Sequence, residues 1–185
     1  IFYVTGGLSF RLKSLTLQNG RDSDGVFGQR LGGAIRYEGA LLALDDVRIR
    51  DSKSEFGGAI SSDGLVTIVD SLFTRNSASR GGAVWVTGAS LAVEDTLFTH
   101  NDVEGNSHGG ALSIRDGNVT LTRVTIADNN ADFSGAGGGG LAVEYYSSAY
   151  DVIITDSVIT GNSARRAQAI FRKWLKSISV MASSA

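Results

Sequence analysis

Apolar and polar positions alternate along this chain at a spacing of two, in short runs that recur. Aligned on one apolar position, the runs give Leu17, Ile49, Phe73, Phe98, Ile126 and Ile159. Five residues earlier stand Leu12, Leu44, Ile68, Val93, Leu121 and Ile154, and two before those Phe10, Leu42, Val66, Leu91, Val119 and Val152. A glycine pair opens the next run at Gly32-Gly33, Gly57-Gly58, Gly81-Gly82, Gly109-Gly110 and Gly138-Gly139. Ile35, Ile60, Val84, Leu112 and Leu141 follow those pairs two residues on. A spacing of two predicts strands, not helices. The repeats are 32, 24, 25, 28 and 33 residues apart, short of the roughly 40 that a propeller blade requires.

The pattern predicts an all-β chain: a right-handed, single-stranded parallel β-helix of about six coils over residues 1–164, each coil stacked roughly 4.8 Å from the next. The apolar columns make its dry core. Three residues after the first column lie Asn76, Asn101, Asn129 and Asn162, with Ser52 and Gly20 in the equivalent places. Pointing inward at a bend, such asparagines form a structural ladder of amides bonded above and below. Asp46, Asp70, Asp95 and Asp156 share a further column, just before small residues, where short polar side chains satisfy turn amides. Insertions at 18–31, 131–137 and 144–151 predict surface loops, where solenoids often bind.

Residues 165–185 break the period. Ile170, Phe171, Trp174, Leu175 and Ile178 fall on one helical stripe, which predicts a short C-terminal helical cap or tail. Arg165, Arg166, Arg172, Lys173 and Lys176 give this segment a charge of +5, and the remaining 12 basic and 19 acidic residues give residues 1–164 a charge of −7. An acidic body argues against nucleic acid as a partner. The tail, with Arg165, Arg166, Arg172, Lys173, Trp174 and Lys176, is the candidate for docking to a protein partner, and the one segment suited to touching a membrane surface.

Composition narrows the class further. There are 24 glycines, no proline and no cysteine, so disulfides and thiolate metal sites are excluded. Glycine without a three-residue period excludes collagen. No run reaches the roughly 18–20 apolar residues of a membrane helix. The chain opens at Ile1 already in strand-like sequence, which reads as a portion of a longer precursor.

The pairing of Gly57-Gly58-Ala59-Ile60, Gly81-Gly82-Ala83-Val84 and Gly109-Gly110-Ala111-Leu112 with Phe73–Asn76 and Phe98–Asn101 resembles the polymorphic outer membrane protein repeat. The resemblance spans roughly residues 6–170. Ile49, Ile126 and Ile159 depart from its Phe, Ser52 from its Asn, and Ala167-Gln168 from its glycine pair. It implies a passenger-like surface or adhesive role and supplies no catalytic residue.

Candidate chemistry is sparse. Gly135 to Gly140 satisfies GxGxxG, but a strand-like Leu141-Ala142-Val143 follows where a nucleotide site needs a helix. Asp51, Arg75, His100 and Asp128 form one polar row, which reads as an exposed charge ladder or, in an enzyme, as a general-base or sugar-binding row. Asp46, Asp70 and Asp95 read as turn residues in preference to a calcium row. Two histidines, His100 and His108, support no metal site or triad, and no cofactor is expected. Trp85 is expected to face outward, and Tyr145, Tyr146 and Tyr150 crowd one loop; exposed aromatics there are the candidate surface for a sugar or protein. Asn118-Val119-Thr120 is a lone glycosylation sequon.

These readings predict a non-enzymatic structural or adhesive module of a surface, secreted or assembly-associated protein, placed extracellularly or at the cell surface, with a protein or polysaccharide partner. The alternatives are a carbohydrate-active polysaccharide lyase or epimerase, and an accessory subunit docked through its basic tail.

Overall fold

The computed structural model describes residues 1–22, 30–105, 107–131, 137–145 and 150–165, and the backbone of 170–173 and 177–181. The chain is a parallel β-solenoid of stacked coils built from three sheets of 7, 11 and 4 strands. The first sheet stacks Phe2–Val4, Ile35–Tyr37, Ile60–Ser62, Val84–Thr87, Leu112–Arg115, Leu141–Glu144 and Ile170–Lys173. The second begins with two long strands, Ser9–Gln18 and Leu41–Arg50. In later coils each long strand becomes two, such as Leu65–Val69 with Leu72–Thr74 and Leu91–Glu94 with Leu97–Thr99. The third stacks Ser77–Ala78, Asp102–Val103, Asn130–Ala131 and Ser163–Ala164.

The apolar columns are the registers of these sheets. Leu17 pairs Ile49, Ile49 pairs Phe73, Phe73 pairs Phe98, and the row continues through Ile126 to Ile159. Every described pairing in the row is parallel, so like residues stack on like. Ile49, Phe73, Phe98 and Ile126 are fully buried, and the Phe73 and Phe98 rings stack at 4.8 Å. Four coils carry a strand in all three sheets, so there are about four complete turns and not six. The flanking coils are partial: among the described residues no strand of the third sheet precedes Ser77 or follows Ala164.

The expected helical tail is also corrected. The described residues contain no helix, and Ile170–Lys173 and Ser177–Met181 run as strands parallel to Leu141–Glu144 and Asp151–Thr155. The preceding coil presents unpaired amides and carbonyls along its edge, and pairing with them outweighs a local 3.6-residue pattern. Ser177-Ile178-Ser179-Val180 moreover alternates as a strand does. Arg166, Trp174 and Lys176 lie outside the described residues, as do residues 23–29, 132–136 and 146–149 of the expected loops.

Sharp corners turn each coil, and they fall on fixed columns. Ser14, Asp46, Asp70, Asp95, Arg123 and Asp156 all have φ between 48° and 53°. Asn19, Asp51, Arg75, His100 and Asp128 lie between 52° and 57°, and Gly161 joins them at 64°. Asn and Asp tolerate this left-handed conformation best among non-glycine residues, which accounts for the aspartates in both columns. Where the residue after a corner is polar, its side chain ties the coils together.

After the second corner column, Asn76, Asn101, Asn129 and Asn162 are buried. Nδ2 of Asn76, Asn101 and Asn129 donates to Oδ1 of the next asparagine at 3.0, 2.9 and 2.9 Å. The same Oδ1 atoms accept the backbone N–H groups of Asn76, Asn101 and Asn129 at 3.1, 2.9 and 3.0 Å. After the first corner column a hydroxyl does similar work: Ser71 Oγ accepts Val47 N–H at 3.1 Å, and Thr96 Oγ1 accepts Ser71 N–H at 3.2 Å.

Candidate functional site

The polar row Asp51, Arg75, His100 and Asp128 is a corner column, so its side chains project outward by backbone necessity. Arg75 grips Asp51 with two hydrogen bonds of 2.8 and 3.1 Å. Those bonds hold the Asp51 carboxyl below its usual range, whereas a general base needs a pKa raised towards neutrality. His100 Nδ1 sits 2.7 Å from its neighbour's Thr99 Oγ1. Arg75, His100 and Asp128 are exposed, and the row is an open ladder.

The other corner column borders a groove. Between the two halves of the second sheet runs a shallow, open depression of about 530 Å³, lined by Asp46, Asp70, Asp95, Arg123, Leu72 and Leu97 among others. It crosses successive coils, so its carboxylates are spaced along the stack without converging on a point. Among the described residues no group of three His, Cys, Asp or Glu side chains is placed to hold a metal ion. Arg123 closes the row with a fork on Asp95 at 2.7 and 2.8 Å and a further bond to Glu94. Arg123 therefore lowers the Asp95 pKa from 3.8. A depressed folded-state pKa gives stabilisation present above the unfolded value and lost as pH falls through the folded one. An NMR titration of the Asp95 carboxyl should show its midpoint below 3.8, rising towards that value in Arg123→Gln; an unmoved midpoint would exclude the fork in solution. A second depression of about 400 Å³ lies beside the third sheet, with Arg21, Arg30 and Lys53 facing Asp22, Glu55 and Glu104.

Two of the aromatic candidates, Trp85 and Tyr145, are buried and form no exposed platform. Trp85 does alternate outward from Val84 and Val86, yet only 7% of it is exposed. Phe56 packs on its ring at 5.0 Å and the Arg115 guanidinium lies 5.5 Å from its centre. Tyr145 is buried against Tyr150, ring to ring at 5.1 Å, and burial pushes its phenol up. Tyr146 lies outside the described residues.

Burial of Trp85 belongs to a wider cover over the outer face of the first sheet, which the sequence did not reveal. Ser61, Trp85, Ser113 and Ala142 form one outward register, and all are buried. Next to them Glu144, 4% exposed, receives Arg80 at 3.0 Å and faces His108 Nε2 at 3.4 Å. His108 Nδ1 accepts the Gly137 amide at 3.0 Å, which assigns the ring proton to Nε2. Both ring nitrogens are thus occupied, and Ser113 Oγ is buried with no hydrogen-bond partner among the described residues. Histidine and glutamate meet on this face, but no hydrogen bond joins Ser113 to either, and the histidine has no free nitrogen to take a serine proton, as a relay would require. The cluster is an ion-pair lock between coils.

No protein-family model matches the chain, and no curated protein and no solved structure is significantly similar to it.

Proposed function

We propose that this chain is a non-enzymatic structural or adhesive module of a surface, secreted or assembly-associated protein, and that it binds through the groove at the bend of the second sheet. The observation that carries this reading is the continuity of that groove across successive coils. A depression that repeats with the solenoid suits an extended partner, a polysaccharide strand or a peptide, whose own repeat runs along it. Its lining mixes charge with the exposed edge of Leu97, 37% accessible, as partner surfaces generally do. The likeness of the GGA and FxxN motifs to polymorphic outer membrane protein repeats supports an extracellular or cell-surface setting.

Titration of the isolated chain against a panel of acidic, neutral and basic polysaccharides and of surface-protein fragments tests the assignment. Leu97→Glu should weaken whatever binding is found by at least about tenfold, the loss of one buried apolar anchor with a charge added against the partner. Arg75→Ala, on the open ladder, should leave it unchanged. Release of unsaturated or epimerised sugar from any polysaccharide in the panel would replace this reading with the enzymatic one.

A further inference from the structure

The turn between the first and second sheets of the third complete coil reads Asp116-Gly117-Asn118-Val119-Thr120. From its geometry we propose that Asn118 is an acceptor for N-linked oligosaccharide, in a five-residue sequon whose acidic residue at −2 belongs to it. The proposal rests on the reading of the chain as an exported module. Two chemistries recognise such sequences from lipid pyrophosphate-linked oligosaccharide donors. One requires only Asn-x-Thr/Ser, the other also an acid two residues before the asparagine, and this chain satisfies both.

The fold displays the acceptor. Asn118 precedes the strand Val119–Thr122, in which Val119 and Leu121 are buried while Asn118 and Thr120 are exposed. Asparagine and threonine hydroxyl therefore stand on one outward face, as the alternation of a strand dictates. Asn118 Oδ1 accepts the Asp151 amide of the next coil at 2.9 Å. Among the described residues Nδ2 has no hydrogen-bond partner. The tie uses the oxygen that the modification leaves intact, so the side chain is held in place while the nitrogen stays open.

Gly117 fixes the approach. A Cβ there would lie 1.7 Å from Ala89 O, so the x position of the acidic half-motif admits only glycine in this turn. Asp116 takes the left-handed conformation at φ 57° and donates its amide to Glu144 O at 3.0 Å, which places Asp116 two residues ahead of the acceptor in a tight, surface-facing turn. In the transfer step the bond from sugar C1 to the pyrophosphate oxygen breaks and a C1–Nδ2 bond forms. The amide nitrogen loses one proton, and the polyprenyl pyrophosphate leaves.

The test directs the full chain into two secretory hosts with an added export signal, one bacterial with an acid-dependent transferase and one eukaryotic. The added signal makes the outcome independent of where the chain natively resides and of what its groove binds. Mass spectrometry reads the tryptic peptide 116–123. The expected result is a mass increase of one oligosaccharide on Asn118. Asp116→Asn, which keeps a residue suited to positive φ, should reduce occupancy at least tenfold in the bacterial host and leave it intact in the eukaryotic one. Thr120→Val, benign on an exposed strand position, should abolish it in both. An unmodified peptide in both hosts, beside an exported control that is glycosylated, overturns the proposal; so does occupancy that survives Thr120→Val.

Discussion

Replacing Gly82 with alanine is expected to abolish soluble, folded protein, while the same change at Gly88 leaves a folded chain. Gly82 is the second glycine of a pair, and its backbone conformation is one that alanine could adopt. Space forbids the substitution. An added Cβ would lie 2.0 Å from Gly110 O in the next coil and 2.7 Å from Asp102 O. Both are backbone atoms, not side chains that could rotate away, and the coils around them are held in register by bonds such as Gly82 N–H to Gly109 O and Gly110 N–H to Gly138 O, at 3.1 and 3.0 Å. Gly58 and Gly110 repeat the arrangement, with the next coil's carbonyl 2.2 and 1.9 Å from the added carbon. Relief requires separating two coils whose spacing of about 4.8 Å is set by the sheets. The cost exceeds about 4 kcal/mol, the range of severe core lesions, against a total stability of about 5–15 kcal/mol for a domain. Gly88 meets nothing within 4 Å and only its φ of +69° opposes a side chain, a penalty of about 1–2 kcal/mol. Soluble yield and far-ultraviolet circular dichroism melts compare the two variants. Equal melting temperatures would show that the coils tolerate separation and would refute the steric account.

Asn101→Ala should lower unfolding free energy by about 3–5 kcal/mol, the usual result of breaking a buried polar network. Asn101 is fully buried in the middle of the ladder. Its Oδ1 accepts both the N–H and the Nδ2 of Asn76, at 3.1 and 3.0 Å, and its own Nδ2 donates to Phe73 O at 3.0 Å and to Asn129 Oδ1 at 2.9 Å. Alanine strands these partners away from water, at about 1–3 kcal/mol for each group that finds no substitute. Aspartate should do no better, because a carboxylate accepts but cannot donate. Asn130→Ala, one residue on, loses an exposed bond to Asp102 Oδ1 and should cost under about 1 kcal/mol. Urea unfolding of the three variants decides the matter; a shift for Asn101→Ala no larger than for Asn130→Ala would mean that the ladder is incidental to stability.

The proposed groove and the lock on the first sheet were legible to different degrees. Asp46, Asp70 and Asp95 stood out as a column at once, and their place at a turn followed from residue type. That their corner borders a groove depends on the angle between the halves of the second sheet, which no local pattern encodes. Glu144 ends a Leu-Ala-Val-Glu run at an outward position, where a charged residue ordinarily meets solvent. Its partners Arg80 and His108 come from turns 64 and 36 residues earlier. Nothing in the alternation of Val84, Trp85 and Val86 told that Phe56 and Arg115 would cover the indole.

What the sequence alone determined is the repeat and its register. In a parallel solenoid each coil's neighbour is a copy of itself, so aligning the repeats is the same operation as pairing the strands, and the columns Leu17 to Ile159 and Asn76 to Asn162 could be read before any coordinates. Only the tertiary structure decided which outward residues are covered, that Asp51 to Asp128 form a corner, that four turns are complete, and that the tail continues the sheets. Those outcomes depend on where turns lie against sheet faces and on what an open strand edge offers the next segment, and such contacts leave no periodic trace in the chain.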